Sequence, residues 1–320
     1  MPKMKIALML SIAIICLSHT VQGDNPRNAA LRSPQQSTTG PIPPSVVSPP
    51  VPDNVILDRD DKLMTGVPAY LWRHGCGPTA VGMVIGYYDG HGYSNLIPGD
   101  ASTQTNAVDQ AIASQDNSAN PQHYEDYSEP IETSESSPLP DKSEDPPGDE
   151  HISNCIADFM ETSWSARGNF YGWSWSSDIG PSFTGYVNYI APQYTPAYYN
   201  FWYSDDTWNL LRTEIDHNRP MVFLVDSIGN GFTDHFVTVI GYRDTQGYQE
   251  YACMDTWFDS VRWERLRPMS SSYTWGVYGG TTFSLIGSEL PSMNLWGLIL
   301  TLIVIGFMIV RSIHPARYFE

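Results

Sequence analysis

The sequence predicts an α+β domain, with a cysteine at the start of an apolar helix, further helices behind it, and an antiparallel sheet in the C-terminal half. Three observations carry this reading. In "HGCGPTAVGMVIGYYDG", Cys76 is followed by Gly77 and Pro78, and proline suits the first helical position because its missing N–H costs nothing there. The segment "SDDTWNLLRTEIDHNRP" reads as a later helix, with Ser204 or Asp205 at its start, Trp208, Leu211 and Ile215 facing inward, and Pro220 beyond its end. "MVFLVD", "DHFVTVIGYRD", "YQEYACMDTW" and "VRWERL" then read as at least four strands, and their short connections imply antiparallel pairing.

The helix behind Cys76 carries Ala80, Val81, Met83, Val84, Ile85, Tyr87 and Tyr88, with Gly82 and Gly86 four residues apart to admit a close neighbour. "HISNCIADFMETS" predicts a short helix capped by Ser153 or Asn154, with Ile156, Phe159 and Met160 on one side. The aromatic tract after it, to Tyr203, reads as core or cleft wall, with a sugar-binding platform as the alternative. In "DHFVTVIGYRD", His235, Val237 and Val239 share one face and Phe236, Thr238 and Ile240 the other.

Around this domain, assigned to residues 55–287, lie segments of other character. Lys3 and Lys5 precede "IALMLSIAIICLS" and "VQG", the pattern of a secretory signal peptide over residues 1–23. A lipoprotein anchored on Cys16 fits less well, because Ile15 stands where a small residue is needed. Residues 24–54 are rich in Pro and Ser and predict a flexible or polyproline-type linker. Residues 98–150 read as an acidic, solvated insert, in which "TNAVDQAIAS" can make a turn or two of helix. Its acids lack the fixed Gly and Glu pattern of a calcium loop.

Near the C-terminus, residues 288–294 form a linker, and the uncharged apolar run 295–310 predicts a transmembrane helix, a buried core helix being the alternative. The basic residues of 311–320 then place that tail in the cytoplasm and the domain outside. Exported and held at the cell membrane or surface, the chain would meet its partners there. Its formal net charge of -18 argues against nucleic acid and against anionic membrane surfaces as partners.

With the signal removed, Cys76, Cys155 and Cys253 remain, and an odd count leaves at least one thiol free or paired between chains. If Cys155 and Cys253 pair, the free one is Cys76. A thiol at a helix N-terminus meets the positive end of the helix dipole, which favours thiolate. Its proton needs an acceptor. His235 starts an apolar strand after the turn "SIGNGFT", and Asp255 ends the next one, where it can accept the other imidazole N–H as the third member of a triad does. Singly, His235 reads as an ordinary sheet-edge histidine and Asp255 as a turn residue; together with Cys76 they form an ordered set. His74, Cys76, Asp89 and His91 do not repeat the paired spacing of a zinc site, so no metal is expected. No phosphate-binding glycine loop is present and no cofactor is expected.

"HGCGPTAVGMVIGYYDG", "NCIADFM", "DHFVTVIGY" and "MDTW" together resemble the exported, stand-alone relatives of the bacteriocin-processing (double-glycine leader) cysteine peptidases, family thirty-nine of the cysteine peptidases and a branch of the papain-like superfamily. The resemblance covers roughly Val55 to Ile286. It implies a papain-like fold and a peptide or protein substrate, with Cys76 as nucleophile, His235 as general base and acid, and Asp255 as the orienting residue. These peptidases place a glutamine six residues before the nucleophile to help hold the oxyanion, and here that position is Tyr70; Trp72 or His74 would have to supply the second donor. The end of the chain, "ELPSMNLWGLILTLIVIGFMIVRSI", resembles bacterial C-terminal sorting tails nearer the IPTL than the PEP type, which implies a sorting peptidase as a partner unless the helix is a permanent anchor.

Three functions remain open on these grounds. The first is a surface cysteine peptidase working through Cys76, His235 and Asp255. The second is a catalytically inactive papain-like module that binds peptide or cell-wall glycan, which Tyr70 favours. The third is a transferase or amidase using the same three residues.

Overall fold

The computed structural model describes residues 35–51, 60–114, 153–163, 172–245 and 247–287. The expected signal peptide, most of the acidic insert, the sorting motif and the basic tail lie outside the described residues.

An antiparallel sheet dominates. Its strands are β4 (Tyr194–Trp202), β5 (Met221–Asp226), β6 (His235–Thr245), β7 (Tyr248–Met254), β8 (Val261–Arg265) and β9 (Gly276–Gly287), in the spatial order β4-β9-β5-β6-β7-β8. A short strand, β2 (Lys62–Leu63), pairs with β6 opposite Tyr242 and Gly241 and makes the seventh. "MVFLVD" is buried at every position, as befits a strand covered on both faces, and β6 is buried from His235 to Arg243. Alternation along β6 is interrupted by a shift of register between Val239 and Gly241, where Gly241 lets the Lys62 carbonyl approach closely.

Helix α1 (Cys76–Gly90) is buried all round from Cys76 to Tyr88, the pattern of a core helix rather than an amphipathic surface one. It lies on β6: the Phe236 ring packs at Gly77, and the Thr238 hydroxyl donates to the Ala80 carbonyl at 3.0 Å. The glycine pair does what its spacing suggests. A Cβ at Gly82 would sit 2.7 Å from Ile112 of α2 (Asn106–Ile112), and Gly86 faces the Tyr70 hydroxyl. Thr105 caps α2 by accepting from the Val108 N–H. That helix is the one expected in "TNAVDQAIAS".

Helix α3 (Ile156–Phe159) is capped at Cys155, and the N–H groups that lead into it are met from within the helix, since the Asp158 carboxylate accepts from the N–H of Asn154 and of Cys155. Helix α4 (Ser176–Ile190) comes next, and its Phe183 packs against Phe283 of β9 with ring centroids 4.9 Å apart. Among the tract's described aromatics, Phe183, Tyr186 and Phe201 belong to the core, whereas Tyr189 and Tyr199 are exposed. Helix α5 (Thr207–Asp216) buries Leu211 and Ile215 as expected, with Trp208 only partly covered.

One expectation is corrected. No helix among the described residues is long and apolar enough to cross a membrane, against the expected C-terminal transmembrane helix. The run proposed for it, 295–310, is shorter than the ~20 residues a span needs and lies outside the described residues. The pairing of Cys155 with Cys253, left open by the sequence, is not made. Both are free and buried, Cys155 at the start of α3 and Cys253 within β7 opposite Val239 and Arg262. Finally, residues 35–51 of the expected linker are laid on the domain: β1 (Gln36–Ser37) pairs antiparallel with β3 (Ser174–Trp175), and the Thr38 and Thr39 N–H groups both donate to the Asp234 carbonyl, at 2.9 and 3.1 Å.

Candidate active site

Cys76 opens α1 after a turn that one hydroxyl ties together. Thr79 Oγ1 donates to the Gly75 carbonyl at 2.7 Å and accepts from the Arg73 N–H at 2.9 Å, so "RHGCGPT" closes on itself ahead of the helix. His74 there has φ 61°, a left-handed conformation that costs a non-glycine residue on the order of 1 kcal/mol or more and must be held by its surroundings. Its Nε2 meets the Ser163 hydroxyl at 3.0 Å.

The packing of α1 on β6 brings the thiol to the first residues of that strand. The Phe236 N–H donates to Cys76 Sγ at 3.4 Å. The preceding residue, His235, has both ring nitrogens bonded. Nε2 lies 2.7 Å from the Asp255 carbonyl oxygen and Nδ1 lies 2.7 Å from Thr39 Oγ1. A carbonyl can only accept, so Nε2 carries the proton and Nδ1 of the neutral ring accepts from the Thr39 hydroxyl. That same hydroxyl oxygen is 3.9 Å from Cys76 Sγ. Thiol and imidazole thus share one hydroxyl from the segment before the domain.

Asp255 is brought to the site, but its carboxylate is turned away from the ring. Oδ1 accepts from the N–H groups of Trp257 and Phe258, at 3.0 and 2.9 Å, and Oδ2 takes the Arg262 Nε–H at 2.9 Å. The expected contact of carboxylate with imidazole is replaced by one from the main chain. The ion pair is buried, with side-chain exposures of 7% for Arg262 and 0% for Asp255. Beside the pair stands Thr256, at φ 63°, an outlier for a β-branched residue, and its buried hydroxyl has no hydrogen-bond partner among the described residues. Trp257 then stacks on His235, with ring centroids 3.6 Å apart and planes 6° from parallel. The Trp257 ring and the Asp255 carbonyl fix both the plane and the tautomer of the histidine.

Electrostatics track burial. Cys76 and His235 are both fully buried. Burial pushes the Cys76 thiol above its ordinary range, against the Phe236 N–H and the Ser37 and Thr39 hydroxyls, which pull it down. Burial likewise drives His235 down to about 3, outweighing the Asp255 carbonyl, while the Arg262 charge adds to the drop. The helix-dipole argument for a thiolate is therefore overridden here: in this closed arrangement the pair is neutral thiol and neutral imidazole. Burial also raises the Asp255 carboxyl, opposed by Arg262.

Tyr70 is committed elsewhere. Its buried hydroxyl donates to the Ala101 carbonyl, filling the space over Gly86, and so it does not replace an oxyanion-binding amide. Among the described residues no group of three or more His, Cys, Asp or Glu could hold a metal ion.

The profile of the Peptidase_C39 like family matches residues 64–282, more than half of the chain. The chain belongs to that family. Membership in the Peptidase_C39 like family supports a papain-type cysteine peptidase and peptides as its class of substrate. No curated protein matches the chain. Thr39, which lies ahead of the matched residues, and the roles of Trp257 and Arg262 escaped the reading of the sequence. "MDTW" contained the signal for Trp257, an aromatic two residues past Asp255, whereas Thr39 lies in a segment whose composition resembles a linker.

Proposed function

We propose that this member of the Peptidase_C39 like family is a cysteine peptidase with Cys76 as nucleophile, His235 as general base and acid, and Asp255 as the residue that orients the imidazole. The observation that supports it is the meeting of Cys76 Sγ and His235 Nδ1 at one hydroxyl, with Nε2 held from behind by the Asp255 carbonyl. When a peptide takes the place of that hydroxyl, the thiol proton passes to Nδ1 and the sulfur bonds to the peptide carbonyl carbon, whose π electrons move onto oxygen. The Cys76 N–H, at the positive end of α1, stabilises that oxygen. The imidazolium gives its proton to the nitrogen as the C–N bond breaks and the amine leaves. Water then loses a proton to Nδ1, attacks the thioester, and releases the acid as the thiol regains its proton.

A second reading, a binding module without turnover, is favoured by Tyr70, whose hydroxyl is committed to Ala101. Mass-spectrometric analysis of a peptide library incubated with the full chain separates the two. Cleavage reduced by about a thousandfold or more in both Cys76→Ala and His235→Ala supports the peptidase. Cleavage indifferent to Cys76→Ala overturns it, and absence of cleavage in every chain, including one whose Cys76 is freely labelled by iodoacetamide, favours the binding module. We also propose that the domain acts outside the cytoplasm, on the strength of residues 1–23. A mature N-terminus at Asp24 on exported protein is the expected result, and a chain that keeps Met1 and stays in the cytoplasm would contradict it.

A further inference from the structure

The segment 35–48 is held on two sides by its main chain. On one side β1 pairs with β3, and the Gln35 carbonyl accepts from the Ser176 N–H at 2.8 Å. On the other, Thr233 Oγ1 accepts from the Gln36 N–H at 3.2 Å and lies 2.9 Å from the Gln36 carbonyl. The Asp234 carbonyl then takes the N–H groups of Thr38 and Thr39. Further along, Trp257 Nε1–H donates to the Gly40 carbonyl at 2.8 Å and Arg262 Nη2–H to the Ser48 carbonyl at 2.6 Å. Those donors and acceptors belong to β3 and the start of α4, to the end of the turn before β6, and to the loop and strand after β7; the turn and that loop also carry and orient His235. The chain is extended at Gln36–Ser37 and turns only farther on, where the Val47 N–H donates to the Pro44 carbonyl; its side chains nearest the nucleophile are small, and Ser37, Thr39 and Gly40 are buried.

Such a pattern is how an extended peptide is bound when main-chain bonds supply the affinity and only small side chains fit. The position that faces the pair, however, offers a hydroxyl. Thr39 Oγ1 occupies His235 Nδ1, and the next carbonyl, Gly40, is engaged by Trp257.

We infer that residues 35–48 are a built-in occupant of the peptide-binding cleft, a strap that keeps Cys76 and His235 covered, and that the cleft's other ligand is an extended peptide with small side chains where Ser37, Thr39 and Gly40 now lie. Cleavage of such a peptide rests on the peptidase reading; its binding does not. Because the strap is tethered, it competes at a local concentration of about millimolar, so an external peptide gains access only when the strap is released. Burial of the pair in the neutral form is a consequence of the strap's presence, and its departure admits water to both groups.

The test uses the full chain carrying Gln36→Pro and Thr38→Pro together, which removes two of the strap's N–H donors. Iodoacetamide labelling at neutral pH, mapped by mass, reads access to Cys76, and hydrogen exchange reads the strap amides. The expected result is strap exchange faster than in wild type with α1 and the sheet still protected, Cys76 labelling at least about tenfold faster, and slowing of that labelling by a synthetic peptide of residues 35–48 but not by its scrambled form. Freely exchanging strap amides with unchanged Cys76 labelling overturn the strap, and fast labelling that the peptide does not slow overturns its role as a peptide mimic. If the double variant loses protection throughout, Thr39→Val serves. It keeps the β-branched shape and removes the hydroxyl, and is expected to speed labelling several-fold; no change overturns the proposal. Labelling requires no turnover. A released chain that labels fast yet cuts no peptide leaves the strap standing and contradicts the peptidase reading instead.

Discussion

The two nitrogens of His235 face regions built in different ways. Behind Nε2 lies a corner made within the fold itself: the Asp255 carbonyl, the stacked Trp257, and a buried carboxylate and guanidinium that lock the turn between β7 and β8. In front of Nδ1 lies a hydroxyl from Thr39, on a segment joined to the domain by main-chain hydrogen bonds and remote in sequence. The corner behind is costly to disturb because its charges are desolvated and depend on one another. The contact in front is of the kind water or a peptide can replace, since each main-chain bond contributes only about 1 kcal/mol net. One side of the imidazole is therefore architecture and the other is an occupant. A general base needs both, a fixed back and a front that can be exchanged.

Substitutions on the two sides test that contrast. The largest effect belongs to the corner: Arg262→Ala leaves the Asp255 carboxylate buried without its cation and should cost about 3–5 kcal/mol in urea unfolding. A loss below about 1 kcal/mol would mean that the pair is far wetter than its burial suggests. Asp255→Asn separates side chain from main chain, because it keeps the carbonyl on Nε2 and an acceptor for the Trp257 and Phe258 N–H groups. Stability should fall by about 2 kcal/mol, while peptide cleavage by the folded protein falls less than about tenfold, far short of the roughly ten-thousandfold loss seen when a carboxylate holds the base directly.

The opening arrangement of "HGCGPTA", a strand beginning at His235 and a strand ending near Asp255 were all legible, because each is written in local pattern: a proline at a helix start, alternation, turn residues at the ends. The sheet came from the same signals and from short connections. The hidden part depends on the direction of side chains and on burial. Nothing in "CMDTW" says that Asp255 turns its carboxylate to Arg262, seven residues on, and offers the ring its carbonyl. The helix start at Cys76 pointed to a thiolate, but depth decides the charge here, and a motif does not encode depth. Residues 35–48 were hidden for a third reason: they are fastened by backbone groups that every residue has, so a Pro- and Ser-rich composition reads as linker.

The pH response should expose the buried imidazole. Held near 3 in the folded chain against about 6.5 when unfolded, His235 binds its proton in the unfolded state first. Its contribution therefore lowers stability progressively as pH falls from about 6.5 towards 3, and is absent above that window. Asp234 and Glu264, each raised by burial to about 7, act in the opposite direction between neutrality and the ordinary carboxylate range. Comparing wild type with His235→Gln at each pH isolates the histidine. A difference that stays constant from about pH 7 to about pH 4 would contradict its burial as a neutral ring.

Smaller still are two changes near the ring. Trp257→Phe keeps an aromatic face on His235 but removes the N–H that holds Gly40, so stability should fall by about 1 kcal/mol and Cys76 labelling should quicken modestly. Thr256→Gly relieves a left-handed φ and removes a buried hydroxyl without a partner among the described residues, and should raise stability by about 1 kcal/mol in urea unfolding.

The most direct test of the exchangeable front is peptide cleavage by the Gln36→Pro, Thr38→Pro chain, measured beside the same chain carrying Cys76→Ala. Cleavage well above that of wild type in the first and none in the second is the predicted result. Fast labelling of Cys76 without any cleavage would leave the exchangeable front in place but contradict the peptidase reading, and would make this domain a peptide-binding module that has kept the form of an active site.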